Sequence, residues 1–398
     1  MVDSRPYRRD KITWFLLATT GMHRAVFHAM GAVVPAIRKD LGISATLANA
    51  HVSAMAIGMM SMGLIAEHLA RRVGRRLAIW TGMVGITMGM MLLALANTVW
   101  LTLPIMLVFI GAIGSLVVAL TPAALSDHQS EHRVVALAES SVISGVLGGV
   151  VPAVVGLSQR LGYGWGGASL LPLALLVALA IRYRDTPVPE PTHPSPPSDH
   201  AGPATLDRRF WAFFVTLVFT DSFEFGLIFG AAVLLEYRGM SEATASTALS
   251  LLFWGMLLGR IVGSRLVRRH DPVRMLRITF VLAMIGTLVH WLAPVLAISV
   301  VGLFLAGIGI SNLYPLTTSL GLQAAGSVSN AGGSRLSMAT GTSMLISPLI
   351  FGILTDAFDI RVAFAAEPIF LICAIVMAAC GARWLRSAPA PLVSVLAT

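Results

Sequence analysis

Twelve apolar stretches, separated by short turns that carry arginine, leave this chain little choice of fold. They run roughly over residues 12–36, 45–69, 76–97, 101–126, 134–158, 166–182, 208–236, 242–266, 274–291, 294–322, 333–355 and 360–384. A helix rises about 1.5 Å per residue, so roughly 20 apolar residues cross a hydrocarbon core about 30 Å thick. A membrane barrel would show alternating segments of about ten residues instead of continuous runs. Composition agrees. Of the 398 residues 56% are hydrophobic and 12% charged, with a mean hydropathy of +0.80, whereas soluble domains carry about 25% charge. The expected fold class is an all-α membrane protein with twelve transmembrane helices.

The basic residues set its orientation. Arg5, Arg8, Arg9 and Lys11 precede the first stretch, and Arg71, Arg72, Arg75 and Arg76 follow the second. Arg133 follows the fourth, while Arg182, Arg184, Arg208 and Arg209 bracket the middle of the chain. Arg265, Arg268, Arg269, Arg274 and Arg277 lie between the eighth and ninth, and Arg383 and Arg386 close the last. The alternate turns hold only Arg38, Lys39, Arg160, Arg238 and Arg361. This asymmetry predicts a multi-pass protein of the cell (inner or plasma) membrane with both termini cytoplasmic. The formal net charge of +9 is then a topological signal. Its partners are anionic lipid headgroups, with no soluble basic face left over for nucleic acid. Cys373 and Cys380 both fall in the last stretch and read as packing residues, not a disulfide. The first stretch is too long for a signal-peptide core and precedes eleven more, so it is expected to be retained.

Between Asp185 and Leu206 the pattern breaks into DTPVPEPTHPSPPSDHAGPATL, where proline is too dense for a helix and nothing apolar can build a core. Three parts follow: a six-helix bundle over 1–184, a cytoplasmic linker over 185–207 and a second six-helix bundle over 208–398. The halves match locally. GLIAEHLARRVGRR closes the second stretch and GRIVGSRLVRRHDP closes its counterpart, the eighth. Two parallel repeats related by an axis along the membrane normal suit a transporter whose halves rock about a midplane site. The 37 glycines support this, many at helical spacing, such as Gly58 and Gly63, Gly145, Gly148 and Gly149, and Gly302, Gly307 and Gly309. Lipid supplies no hydrophobic drive for helix association, so small residues and close backbone approach do.

These features resemble the major facilitator superfamily of secondary transporters along essentially the whole chain. The family's signature after its second helix is similar to Gly-x-Leu-Ala-Asp-Arg-x-Gly-Arg-Arg. Here Ala70, Arg72, Gly74, Arg75 and Arg76 match it, whereas Glu67 takes the glycine position and Arg71 the aspartate position. In the family that aspartate helps latch the cytoplasmic side. The resemblance thus implies gating by Glu67, Arg71, Arg72, Gly74 and Arg75 in a changed arrangement, with Glu67 the nearest carboxylate. A related ending, PLIFGILTDAFDIR, adds Asp356. GVLGGVVPAVVG in the fifth stretch is similar to the family's antiporter signature, although Gly149 and Pro152 are not adjacent.

Ionisable groups at bilayer depth cost several kcal/mol unless paired or wetted, so they mark function. Arg24 lies mid-way along the first stretch, beside His23 and four residues before His28. Asp221 and Glu224 lie mid-way along the seventh. The family resemblance implies that both helices line a central cavity, where Arg24 can face either carboxylate. Two readings stand: a permanent pair between halves, or a site for substrate and proton. A carboxylate that pairs with Arg24 in one state and loses it in another releases and takes up a proton in turn. Glu224 is the first choice for proton coupling and Asp221 the second, with His28 and Glu139 as further candidates. Substrate contacts are expected from Arg24, His23, Phe223, Trp254, Asn312 and Tyr314; the last two precede Pro315, where a helix can unwind and free carbonyls. Arg260, shallower in the eighth stretch, reads as an interfacial anchor or a transport group.

Other classes fit less well. No His-Glu-x-x-His or Gly-x-Ser-x-Gly pattern supports an enzyme, and HQSEHR (128–133) reads as a solvated turn. There is no filter-like repeat for a channel and no Walker sequence for a pump. The expected function is proton-coupled secondary transport of small organic molecules by alternating access, inclined toward export. Import of a polar or anionic solute gripped by Arg24 is the alternative. The expected partners are substrate, protons and lipid; no cofactor or metal is expected, and the chain should work as a monomer.

Overall fold

Each apolar stretch becomes one helix. They are α1 (Lys11–Leu41), α2 (Ala45–Val73), α3 (Arg75–Leu95), α4 (Val99–His128), α5 (Arg133–Arg160) and α6 (Trp165–Tyr183) in the first half. The second half holds α7 (Arg208–Tyr237), α8 (Glu242–Leu266), α9 (Pro272–Leu292), α10 (Leu296–Ala325), α11 (Ser329–Ala357) and α12 (Ile360–Leu385). The computed structural model describes residues 7–190, 206–267, 269–326 and 329–386, and no strand occurs among them. Arg5, Arg268 and most of the Pro-rich linker lie outside the described residues. Eleven helices, α2 to α12, are long and apolar enough to cross a membrane. The exception, α1, is also long, at 31 residues, but it is more polar because it carries His23, Arg24 and His28. The other helices surround it, and from Thr19 to Ile37 every residue but Arg24 is buried.

Helix ends follow local chemistry. Asp10, Ser44, Asp207 and Asp271 cap α1, α2, α7 and α9 by accepting hydrogen bonds from backbone N–H groups of the first turn. Gly74 alone separates α2 from α3 and has φ +89°, a conformation L side chains rarely adopt. In α4 the chain widens into a π-helical stretch, Met106–Ile113, soon after Pro104. In α10 the helix breaks at Ser311–Asn312, where Pro315 offers no N–H to close the turn.

The two halves repeat each other in their packing. A Cβ on Gly58 of α2 would strike the Leu107 carbonyl of α4, and one on Gly255 of α8 would strike the Phe304 carbonyl of α10. Likewise Gly111 of α4 lies against the Met55 backbone, and Gly307 of α10 against the Leu252 backbone. Gly58 and Gly255, and Met55 and Leu252, are each 197 residues apart. The same offset relates Gly31 of α1 to Ile228 of α7, which meet where these two helices cross. That crossing lies where a twofold axis between the repeats would run.

Between the halves, α5 packs on α8, α2 on α11 and α1 on α7. Their polar bonds gather toward the end of the helices away from the arginine turns. Lys39 pairs with Glu236 at 2.5 Å and Glu242 at 3.1 Å, and Gln159 Nε2 donates to Glu242 at 2.6 Å. Asp356, at the end of α11, accepts from the N–H groups of Ala45 and Thr46, both at 2.7 Å. It thus caps α2 from the other half, where the helix dipole favours a carboxylate. Ser53 donates to the Leu345 carbonyl at 2.7 Å, one step deeper. Toward the arginine end the halves part around a cavity of about 750 Å³.

Candidate functional site

Glu224 is the counterpart of Arg24 in exposure: from Thr220 to Ala232 it is the one residue of α7 that is not buried. Both side chains line the same small central cavity of about 40 Å³, with His28 from α1, Ser144 and Gly145 from α5, and Phe253, Met256, Leu257 and Arg260 from α8. Arg24 lies within electrostatic reach of Arg260, Glu224 and Tyr314. Neither arginine is joined to Glu224 in an ion pair among the described residues, so the three charges face shared space. Arg260 and Leu257 also line the 750 Å³ cavity, which continues toward the arginine end past Ala138, Ser141 and Val142 of α5 and past Asn312 and Pro315 of α10.

The remaining predicted residues fall into separate surroundings. Asp221 is buried one turn before Glu224 and accepts a hydrogen bond from Thr340 of α11 at 2.5 Å. His28 stacks on Phe253 with ring centroids 4.2 Å apart, and its Nδ1 has no partner. His23 is buried with its Nδ1 also unpartnered. Tyr314 is 39% exposed and lies near Asp221 and Thr340. Asn312 donates to the Gly259 carbonyl at 2.9 Å, tying the break in α10 to α8. Trp254 lays its ring against Gly149, and Phe223 is wholly buried and does not line the cavity that Glu224 faces. Glu139 stands apart at the arginine end, where it accepts from Arg9 at 2.6 Å and Tyr7 at 2.8 Å. Burial, then that carboxylate, pushes the Tyr7 phenol up to about 12.

At the basic turn Glu67 pairs with Arg71 of its own helix at 2.6 Å, and both are exposed, as is Arg72. Arg75 is buried. It donates to Asp127 at the end of α4 at 2.7 Å and to the Pro189 carbonyl at 2.8 Å, while its backbone N–H meets the Glu190 carboxylate. Sequence reasoning missed Asp127 and Glu190, partners that only folding brings near. It also missed Glu367 of α12, which is wholly buried against Gly226 with neither carboxylate oxygen hydrogen-bonded. A lone acidic residue close to a helix start gives little signal in the sequence. Among the described residues no three His, Cys, Asp or Glu side chains cluster as a metal site would require.

A helical membrane protein of two repeated halves, with charged groups meeting in a cavity between them, has the build of a secondary transporter. A model of the Major Facilitator Superfamily matches residues 13–333 and, again, 214–396, and the chain belongs to that family. An uncharacterized MFS-type transporter of Yersinia pestis is 24% identical over 364 residues, covering 90% of this chain and 91% of that protein. Among solved structures, the fold is similar to a bacterial homologue of the human lysosomal transporter Spinster in an inward-facing, unoccupied conformation. That match has 16% identity and a TM-score of 0.71, and covers 97% of this chain and 100% of the other. The nucleoside transporter NupG is similar at 12% identity and a TM-score of 0.76, covering 94% of this chain and 99% of that one. The E. coli fucose:proton symporter FucP is similar at 17% identity and a TM-score of 0.60, covering 93% and 98%. The protein is therefore a multi-pass membrane transporter of small molecules and not an enzyme.

Proposed function

We propose that this protein is a proton-coupled secondary transporter of small organic molecules that works by alternating access. One observation carries the reading: α1 and α7 each turn a single charged residue, Arg24 and Glu224, out of an otherwise buried central stretch into one shared cavity. A charge at that depth is costly unless it has a task. Glu224 faces Arg24 and His28 of α1 and Arg260 of α8, with Tyr314 of α10 nearby and Asp221 on its own helix. Because Arg24 and Glu224 belong to different halves, rocking changes their separation. Glu224 holds a proton when Arg24 is withdrawn and releases it when Arg24 approaches. The fucose:proton symporter, similar in fold, is a proton-driven protein by name, so such coupling suits this architecture.

The proposed direction is export, with the termini and the open 750 Å³ cavity cytoplasmic. The glycine run of α5 supports it: Gly145, Gly149 and Gly156 lie against Leu257, Trp254 and Thr247 of α8, making a close seam between the halves. Uptake of a polar or anionic solute is a second reading, favoured by the reach of Arg24 into the cavity. Transport into everted vesicles with an imposed proton gradient tests both. Proton-driven accumulation of cargo inside them supports export, and proton-driven loss of preloaded cargo supports uptake. Glu224→Gln should abolish the driven component while leaving cargo exchange. Full proton-driven turnover in that variant would remove Glu224 from the account.

A further inference from the structure

We propose that the cargo is an amphipathic organic anion, its acid group held between Arg24 of α1 and Arg260 of α8. This rests on the transport reading of the central cavity, but it fixes the charge of the cargo, not the direction or the driving ion. The observation is an imbalance of charge. The central cavity is lined by two guanidinium groups and one carboxylate, Glu224, with no ion pair among them. The other nearby carboxylate, Asp221, is already engaged with Thr340. Two arginines that approach each other from opposite halves repel unless an anion lies between them. Their planar donor forks match carboxylate, phosphate or sulfonate oxygens.

The two cavities divide the ligand between them. The central one, about 40 Å³, has room for a group of a few atoms, not for a whole molecule. Arg260 and Leu257 border both cavities, so an acid group there leaves the body of the ligand in the larger space. That space is mainly apolar, walled by Val142, Leu257, Ile261, Val267 and Leu316, and it holds a further arginine, Arg265, nearer its mouth. Arg265, Arg260 and Arg24 thus mark a basic path from the open end to the centre, which concentrates anions. A compact polar anion would satisfy the arginines but leave the walls bare, and a lipophilic cation would meet two like charges.

Binding to the purified protein in detergent tests the charge without requiring transport. Matched sets sharing one apolar body are used: 4-phenylbutyrate with its amide and amine, 2-naphthoate with its amide and amine, and decanoate with its amide and amine. At least one acid should bind roughly ten-fold or more tightly than its own amide, the scale of a charged bidentate contact. Arg24→Gln and Arg260→Gln should each reduce that preference about ten-fold, and Arg260→Lys should keep part of it. If no acid exceeds its amide, or if the amines bind best, the proposal is overturned. It is also overturned if both glutamine variants, monodisperse by size exclusion, keep the acid preference of the unmodified protein. Proton-driven movement of amines with no acid binding would sink this inference while leaving proton-coupled transport standing. Tight acid binding with no driven transport would do the reverse.

Discussion

Asp10 fastens the start of α1: its carboxylate accepts from the Thr13 N–H at 2.9 Å and hydroxyl at 2.7 Å, and pairs with His128 at 2.7 Å. Burial pushes its pKa up, but the Thr13 bonds and His128 outweigh it and hold the group below the usual carboxylate range. A depressed folded pKa means that the stabilisation is present above the unfolded value of about 4 and is lost as pH falls through the folded one. Asp10→Ala should therefore cost about 1 kcal/mol at pH 7. In thermal unfolding the gap from the unmodified protein should narrow as pH drops below about 4; a gap that stays constant would contradict the cap. At this scale the sequence was legible where a residue was out of place. Arg24, Asp221 and Glu224 stood out because charge is rare in hydrocarbon. Asp127, Glu190 and Thr340 did not, since a polar residue near a helix end, or one threonine in a span, is ordinary until its partner arrives from elsewhere in the chain.

Among the helices, close glycine contacts do the packing, and they make a test that discriminates between similar residues. Gly58 and Gly63 lie five positions apart in α2, yet a Cβ at Gly58 meets the α4 backbone and one at Gly63 meets nothing within 4 Å. Gly58→Val should lower thermal stability by roughly 1–3 kcal/mol, as overpacking does. Gly255→Val should do the same in the second half, while Gly63→Val should be tolerated. Equal losses at Gly58 and Gly63 would mean that the α2–α4 seam is misplaced. Helical spacing alone did not separate these glycines, because it fixes which residues share a face but not which neighbour that face meets. The break in α10 was readable from Pro315. The π-helical stretch of α4 was not, since nothing in MLVFIGAI distinguishes it from a regular turn.

At the scale of the molecule, the twelve-helix pattern was plain because hydrocarbon thickness sets a length that the sequence must obey. Which end closes was hidden, because it depends on contacts between residues far apart in the chain. Asp356 was tied to gating by family resemblance, and the structure sets it at the end opposite the basic turns, capping α2 across the halves. If that basic end is cytoplasmic, cysteines placed at 187–205 should label only from inside; labelling from outside intact cells would reverse the orientation. The central claim is that the two halves rock as units about the cavity of Arg24, Glu224 and Arg260. Spin-label distances at two exposed pairs test it most directly: Leu161 with Tyr237 at the closed end, and Val73 with Leu266 at the open end, with Cys373 and Cys380 replaced. Loosening the cap with Asp356→Ala should lengthen the first distance and shorten the second in the same population. Lengthening at the closed end with no change at the open end would contradict rocking about a shared site.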